Sequence, residues 1–543
     1  MAYIKAQKLR LDADGNVLSG SAELMVSRYD SSAKGKSRKE LRESLGKVLY
    51  IDKTHTCGIF LSPTRGLIEY DSGKDEFSPV AKDDPRLKGK GFASEPAVHT
   101  VFGDSYLILC FMEKCGMIGV LREAFSSDSD YERVLCHVVH GICRNGGRIS
   151  CDDFLRKSFL QYVLPDVPLM GLGSDSPYFE KMGQDESKVS FFRSFVGHIK
   201  KENSGFGKGC YVDSTPLPNG IRDNPFNALC SHGVEATSVQ TRLVLVLDED
   251  TGLPIWFTVI PGNILDFSTV KSVTDDVSET LDIRIDSMVL DAGYASEKLL
   301  AGFNRDGTAD NEKSILVRMP AKKGYPYKAL YNKVKGLLHN SKYQFDRNGH
   351  TYFGLKRETV IFGHSEYAFV YVDKDNALEL ARKNRLRDPE GYESLSMAEK
   401  NWYDTKFGYF VLLSNKDGTP EEKLDEYFSR TDIETVFKTG KKYLSVLPLE
   451  KWNAERVKGK LLSDIIERII YLLLQKELSG EGIATTRLLG STQSLMCRRK
   501  NDGNVEVEVA NRQTDDFYKK LGIKVPSDVD MERFRKDTLK LKD

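Results

Sequence analysis

Tyr427, Arg430, Glu434 and Lys441 lie within the stretch YFSRTDIETVFKTGK. On a helix, at ~100° per residue, these four positions cover only about 60° of surface. One stripe then carries a carboxylate, a phenol, a guanidinium and an ammonium, a set able to hold a metal ion and the phosphates around it. Just upstream, Thr419-Pro420-Glu421-Glu422 has the form of a capping box with proline at the first helical position, so the spacing predicts a helix, with Gly440 near its end. Taken alone, a charged stripe is more often a solvated face. Two aspartates elsewhere in the chain reverse that weighing.

Asp213 closes the strand-like run GCYVDST, and Asp291 closes RIDSMVLD. Between them stand TRLVLVLD and LPIWFTVIPG, joined by Glu249-Asp250-Thr251-Gly252 as a hairpin, and then a helical period over residues 263–281. The helix EKLLAGFN and the strand SILVRMP follow Asp291. This order predicts an α/β, ribonuclease-H-like core in which the first and fourth strands are neighbours. Asp213 and Asp291 then meet at one edge, and Glu434 covers it from the later helix. Hard carboxylate oxygens with phosphate and water suit Mg²⁺. Two such ions about 4 Å apart promote an in-line phosphoryl displacement. Each aspartate alone would pass for a turn residue.

The core is interrupted. Residues 319–406 form a β-rich insertion with strands YQFDRN, TYFGLKRETVIF and EYAFVYVD, then a charged helical segment. FGYFVLLS returns to the strand pattern before the acidic helix. Across residues 318–357 the cations, Lys322 and Lys323 among them, meet a single acid, Asp346, and are interleaved with Tyr325, Tyr327, Tyr331, Tyr343, Phe345, Tyr352 and Phe353. Cations neutralise phosphates and aromatic faces stack on unpaired bases, so nucleic-acid contact is preferred over a merely basic packed sheet. The domain plan is an N-terminal α+β region (1–110), a helical DNA-binding or linker region (111–204) and the first part of the core (205–318). The insertion (319–406), the second part of the core with the acidic helix (407–465) and a C-terminal helical tail (466–543) complete it. Residues 34–42 read as a basic solvated loop, residues 165–177 as a linker, and the amphipathic stretch at 445–478 as a packing helix.

A chain of 543 residues with 40% hydrophobic and 29% charged residues is an ordinary globular protein of several domains. No apolar run approaches the ~18 residues of a membrane span, and the N-terminus lacks a secretory apolar core, so a cytoplasmic location is expected. Lys+Arg and Asp+Glu are equal at 79 each, so net charge gives no support to nucleic-acid binding. Nine irregularly spaced cysteines without a CxxC pair argue against a disulfide framework. Cys136, His140 and Cys143 fall at i, i+4 and i+7, but zinc needs a fourth ligand, and core cysteines are the preferred reading. No GxxxxGK[ST] is present, so ATP is not implied.

YVDST at 211–215, Pro261-Gly262-Asn263 with Asp266, LDAGYAS at 290–296, and Tyr427/Arg430/Glu434/Lys441 together resemble bacterial insertion-sequence DDE transposases. The subgroup carries a Y-x2-R-x3-E-x6-K signature and a β-rich insertion before its glutamate, and the resemblance spans about residues 205–465. It implies that Asp213, Asp291 and Glu434 hold two Mg²⁺ ions, with Mn²⁺ as a substitute, and that Tyr427, Arg430 and Lys441 bind phosphate. It also implies cleavage at terminal inverted repeats, 3′-OH transfer into target DNA, a homodimer in the DNA complex, and action on a bacterial chromosome or plasmid. An insertion tryptophan assists strand separation in some members; Trp402 stands late in this insertion. The alternatives are a ribonuclease-H-like nuclease without strand transfer and an inactive DNA-binding derivative.

Overall fold

The computed structural model describes all residues except 1, 13–16, 30–36, 63, 82–83, 88–98, 145–149, 166, 168–176, 204, 219–223, 230–238, 264–266, 304–312, 339, 430–452, 501 and 542–543. The chain divides into two compact units, Met1–His99 and Thr100–Asp543.

The first unit is an antiparallel meander of six strands in chain order: β1 (Ala2–Leu11), β2 (Val17–Tyr29), β3 (Ser37–Ile51), β4 (Cys57–Ser62), β5 (Gly66–Asp71) and β6 (Glu76–Pro79). Ile4, Leu24, Leu45, Val48, Phe60 and Tyr70 form its main core. The expected α+β region is corrected here. Among the described residues this unit has one 3-10 turn (Pro85–Leu87) and no α-helix, and it ends at His99 rather than near residue 110. The basic segment at 34–42, read as a loop, enters β3 from Ser37. Most of the N-terminal half of β3 is exposed on both faces, which removes the apolar alternation that marks a strand.

The second unit opens with β7 (Thr100–Val101), followed by the helices Gly103–Lys114, Met117–Ala124, Asp128–Cys143, Cys151–Lys157 and Asp185–Glu202. Of the linker at 165–177, residues 166 and 168–176 lie outside the described residues. A ten-stranded sheet follows, built from β8 (Gly209–Pro218), β9 (Ala228–Leu229), β10 (Val239–Asp248), β11 (Pro254–Pro261), β12 (Ser287–Leu290), β13 (Ser314–Arg318), β14 (Gln344–Arg347), β15 (His350–Ile361), β16 (His364–Asp373) and β17 (Tyr409–Ser414). Its order is β11-β10-β8-β12-β13-β17-β16-β15-β14, with β9 paired to β10. β8 and β13 flank β12 in parallel, and the other pairs are antiparallel.

The strands placed in the insertion therefore extend the core sheet, because β13 pairs with β17 and β17 with β16. Parallel neighbours need a crossover. The helices Phe267–Leu281 and Glu297–Gly302 lie in the connections β11 to β12 and β12 to β13. Of the packing helix expected at 445–478, residues 445–452 lie outside the described residues, and the rest falls in the helix Ala454–Ser479, buried along most of its length and packed against the helices Pro177–Met182 and Asp128–Cys143. The C-terminal segment is only partly helical, which corrects the helical tail. β18 (Met496–Arg499), β19 (Val505–Val507) and β20 (Asp528–Val529) form a small sheet with β7 in the order β20-β19-β18-β7. Strands of two to four residues are too short to show a period.

Candidate active site

Three parallel strands set the geometry. β12 is registered against β8 up to Leu290↔Val212, and against β13 up to Leu290↔Val317. The next residue on each strand is Asp213, Asp291 and Arg318, so two carboxylates and a guanidinium succeed one another across neighbouring strands. Equivalent positions on paired strands lie ~4.8 Å apart and project to the same face. Asp213 does not end its strand, as the sequence suggested. β8 continues to Pro218 against β10, with Asp213 opposite Leu245. What ends at Val212 is the pairing with β12.

Local hydrogen bonds shape both carboxylates. Asp213 Oδ1 accepts from the backbone N–H of Ser214 at 2.8 Å. After Asp291 the chain turns, Tyr294 N–H donating to the Asp291 carbonyl at 3.1 Å. Ser296 then caps the helix Glu297–Gly302 by accepting from Leu299 N–H. Both aspartates keep partial exposure while the strands beneath them are buried. The pair can thus reach solvent, a cation and a phosphate.

The helix Pro420–Ser429 brings the third component. Its capping box is present as expected: Glu422 N–H donates to Thr419 Oγ1 (3.2 Å) and Thr419 N–H to Glu422 Oε2 (2.9 Å). Tyr371 of β16 donates its hydroxyl to the Pro420 carbonyl at 2.7 Å, and Arg347 of β14 pairs with Asp425 at 2.8 Å. Gly354 of β15 lets the helix lie close, since a Cβ there would fall 2.8 Å from Pro420 Cβ. So seated, the helix buries Tyr427 and aims its hydroxyl at Asp291 Oδ1, at 3.4 Å. The extended sheet is what holds Tyr427 against the core. Arg430, Glu434 and Lys441 fall at 430–452, outside the described residues, as does Asp266.

Lys322 and Lys323 are exposed on the segment after β13 and make no ion pair among the described residues. Tyr325, just beyond them, donates its hydroxyl to the Ala295 carbonyl at 2.6 Å, which ties this segment to the turn after Asp291. The interleaved aromatics are a correction. Tyr331, Tyr352 and Phe353 are buried, and Tyr325, Tyr327, Tyr343 and Phe345 pack against the core. The first three are closed to a stacking base, and the other four keep partial exposure. Trp402 likewise packs on Tyr331 and Tyr409, with ring centroids 4.5 and 5.7 Å apart.

Arg318 is the first cation of the basic run at 318–357. Its place beside Asp291 was signalled by a shared pattern: CYV-Asp213, MVL-Asp291 and ILV-Arg318 each follow an apolar strand with a charge. It stacks on Phe410 at 5.2 Å and has no ion-pair partner among the described residues.

Among the described residues, His350, Asp373 and Asp375 are three metal-competent side chains with ligand atoms within 4.8 Å of one another. They sit at the β15–β16 end, not with Asp213 and Asp291. Ordinary contacts account for them. Asp373 pairs with His350 Nδ1 at 2.9 Å and caps the helix Lys374–Arg387, and Asp375 accepts from Thr351 N–H.

Residues 205–462 match the family model described as "Transposase DDE domain". By that match the segment is similar to the DDE domains of transposases. It covers the paired aspartates, the extended sheet and the helix carrying Tyr427, and it supports a transposase enzyme. No curated protein matches the chain. A solved piggyBac transposase synaptic complex with hairpin DNA aligns over 81% of this chain and 85% of that one, at 10% identity and a TM-score of 0.33. A likeness that loose carries no argument. No helix among the described residues is long and apolar enough to cross a membrane.

Proposed function

We propose that the chain is the transposase of a bacterial insertion sequence, acting on chromosomal or plasmid DNA in the cytoplasm. It would cut DNA at the element's terminal inverted repeats and transfer the freed 3′-OH into target DNA. The carrying observation is the register: Asp213 and Asp291 lie one step past the last parallel pairs, inside the segment matched by the transposase family model. The order β11-β10-β8-β12-β13, antiparallel for the first three strands and parallel for the rest, supports a ribonuclease-H-like core. In this reading β17, β16, β15 and β14 are the extension that carries the acidic helix.

The two carboxylates fit divalent cations by donor chemistry: hard oxygens, side by side and half-exposed. Asp213, Asp291 and Glu434 would hold two Mg²⁺ ions, which Mn²⁺ could replace. When bound, such ions supply Lewis-acid activation of the attacking oxygen and charge neutralisation at the leaving oxygen. The side chains do the rest. Asp213 and Asp291 are fixed by rigid strands, so the donors need no reorganisation. Tyr427 orients Asp291 through its hydroxyl. Arg318 and Arg430 offer forked donors to phosphate, while Lys441, Lys322 and Lys323 act as point charges. A homodimer on paired DNA ends completes the proposal.

The test incubates purified protein with DNA carrying the element's ends, a target plasmid and Mg²⁺. Joined products support the transposase. Cleavage without joining would make the chain a nuclease, and binding without cleavage an inactive derivative. Glu434→Gln should abolish cleavage while leaving DNA binding intact.

A further inference from the structure

We propose that the helix Tyr327–Val334 and its flanks form a docking surface for the target DNA duplex, held through its phosphates by Lys328, Lys333, Lys335 and Lys342. The inference rests on the transposase reading above and gives that reading a second DNA surface, apart from the carboxylates.

The segment carries charge of one sign. Residues 314–345 contain no Asp or Glu, while Lys322, Lys323, Lys328, Lys333, Lys335 and Lys342 all fall within them. Each of these lysines is exposed, and none forms an ion pair among the described residues. Lysines on neighbouring elements behave differently: Lys356 pairs with Asp417, Lys383 with Glu379 and Lys400 with Glu393, at 2.6, 2.5 and 2.7 Å. Glu399, the acid that Lys328 influences, is bound instead by the Ser396 hydroxyl and N–H, at 2.6 and 2.9 Å. The excess is local to a chain whose formal net charge is zero. A positive surface without partners of its own is the footprint of a polyanion.

The helix presents these cations to phosphates rather than to bases. Leu330, Tyr331 and Val334 are buried. At ~100° per residue, an opposite arc of about 160° carries Lys335, Lys328, Asn332, Ala329 and Lys333, all exposed. Lys328 to Lys335 spans ~10 Å, a length over which duplex DNA carries about six phosphate charges. Lys328 lies over the Trp402 ring at 5.9 Å and Lys342 over Tyr343 at 5.8 Å, contacts that support the stems and leave the ammonium groups in solvent. With one side sunk in the core the helix cannot enter a major groove, and point charges on phosphates carry no sequence information. Such a surface suits DNA whose sequence is immaterial, which in the proposed reaction is the target. Its anchorage fits that role. Tyr327 and Tyr409 exchange hydroxyl-to-carbonyl hydrogen bonds at 2.7 and 3.0 Å, and Tyr325 holds the Ala295 carbonyl in the turn after Asp291. Lys333 and Lys335 also suit the helix C-terminus electrostatically, but that role asks nothing of Lys328 or Lys342.

The experiment titrates the full chain with a linear duplex of scrambled sequence, without metal, across a salt series. Combining Lys328→Ala, Lys333→Ala and Lys335→Ala should weaken binding at least ~10-fold and lower the slope of log K against log salt by about 2–3. Lys524→Ala, exposed on the C-terminal segment, should leave both unchanged. In the unaltered chain the same duplex should protect Lys328, Lys333 and Lys335 from an amine-reactive reagent. With DNA carrying the element's ends and Mg²⁺, the combined variant should give a lower ratio of joined to cleaved product, restored as target concentration rises. An unchanged slope, or lysines that stay unprotected in the unaltered chain, overturns the proposal. So does a loss of affinity confined to duplex carrying the terminal repeats, which would make the surface a holder of the element's end. A wild-type chain that binds the scrambled duplex but never joins ends to a target overturns the transposase reading, and the target with it, without moving the salt result.

Discussion

The Tyr427 hydroxyl lies 3.4 Å from Asp291 Oδ1, although the two residues are 136 positions apart in the chain. That contact joins the end of a central parallel strand to a helix seated on strands β15 and β16. It makes the extended sheet part of the site, because without those strands nothing holds Tyr427 over Asp291. Tyr427→Phe keeps the ring and removes only the hydroxyl. A single hydrogen bond to a carboxylate is worth about 1–2 kcal/mol, so single-turnover DNA cleavage should slow by roughly 5- to 30-fold. DNA affinity should change little, and a filter-binding titration run alongside the cleavage assay separates the two effects.

Arg318 continues the row begun by Asp213 and Asp291, and under the proposed function it meets a DNA phosphate. Arg318→Ala should weaken DNA binding and lower the salt dependence of log K by about one phosphate contact. Arg318→Lys, which keeps the charge but loses the fork, should fall between the two. Binding measured across a salt series reads both. An unchanged slope for the alanine variant removes Arg318 from the interface.

Burial pushes the Asp104 carboxyl up to about 6, even though it accepts from Ser105 N–H at 2.6 Å. A folded-state value above the ordinary 3.8 means that the folded chain holds this proton more tightly. The contribution to stability is therefore complete below about pH 4 and is lost as pH rises through about 6, by roughly 3 kcal/mol in all. Asp104→Asn keeps an acceptor without the charge. Denaturant unfolding should show the variant about 1–3 kcal/mol more stable than wild type at pH 7.5, with the gap closing towards pH 4.

Gly459 packs its helix onto the helix Pro177–Met182 so closely that an added Cβ would fall 1.9 Å from the Phe179 carbonyl oxygen and 2.8 Å from Gly183 N. Both are backbone atoms and cannot swing aside. Gly459→Ala should destabilise the second unit by about 3 kcal/mol or more. Gly197, also helical, has nothing within 4 Å, and Gly197→Ala should stabilise by about 0.5–1 kcal/mol. Thermal unfolding of the two variants side by side tests the packing.

The sequence made the parallel strands and their connecting helices legible, because each is a short apolar run bounded by turn residues, and Asp213 and Asp291 stand where those runs meet charge. It also made the Thr419–Glu422 capping box legible, since that motif is local. Pairing was less accessible. That β17 closes onto β13 is a relation between segments almost a hundred residues apart, and nothing local in either strand encodes it. The charged, two-sided face of β3 hid a strand within an apparent loop, and the short strands β18 to β20 passed for part of a helical tail. The aromatics of the insertion looked available for stacking because a sequence shows spacing but not which face is covered.

The Asp213–Asp291 pair is tested most directly by divalent-metal-dependent cleavage of DNA bearing the element's ends, measured for wild type, Asp213→Asn and Asp291→Asn under matched DNA binding. Wild type should nick the DNA in Mg²⁺ or Mn²⁺ and not in chelator, and either variant should cleave at least ~10³-fold more slowly. Cleavage by Asp213→Asn or Asp291→Asn at the wild-type rate would contradict it.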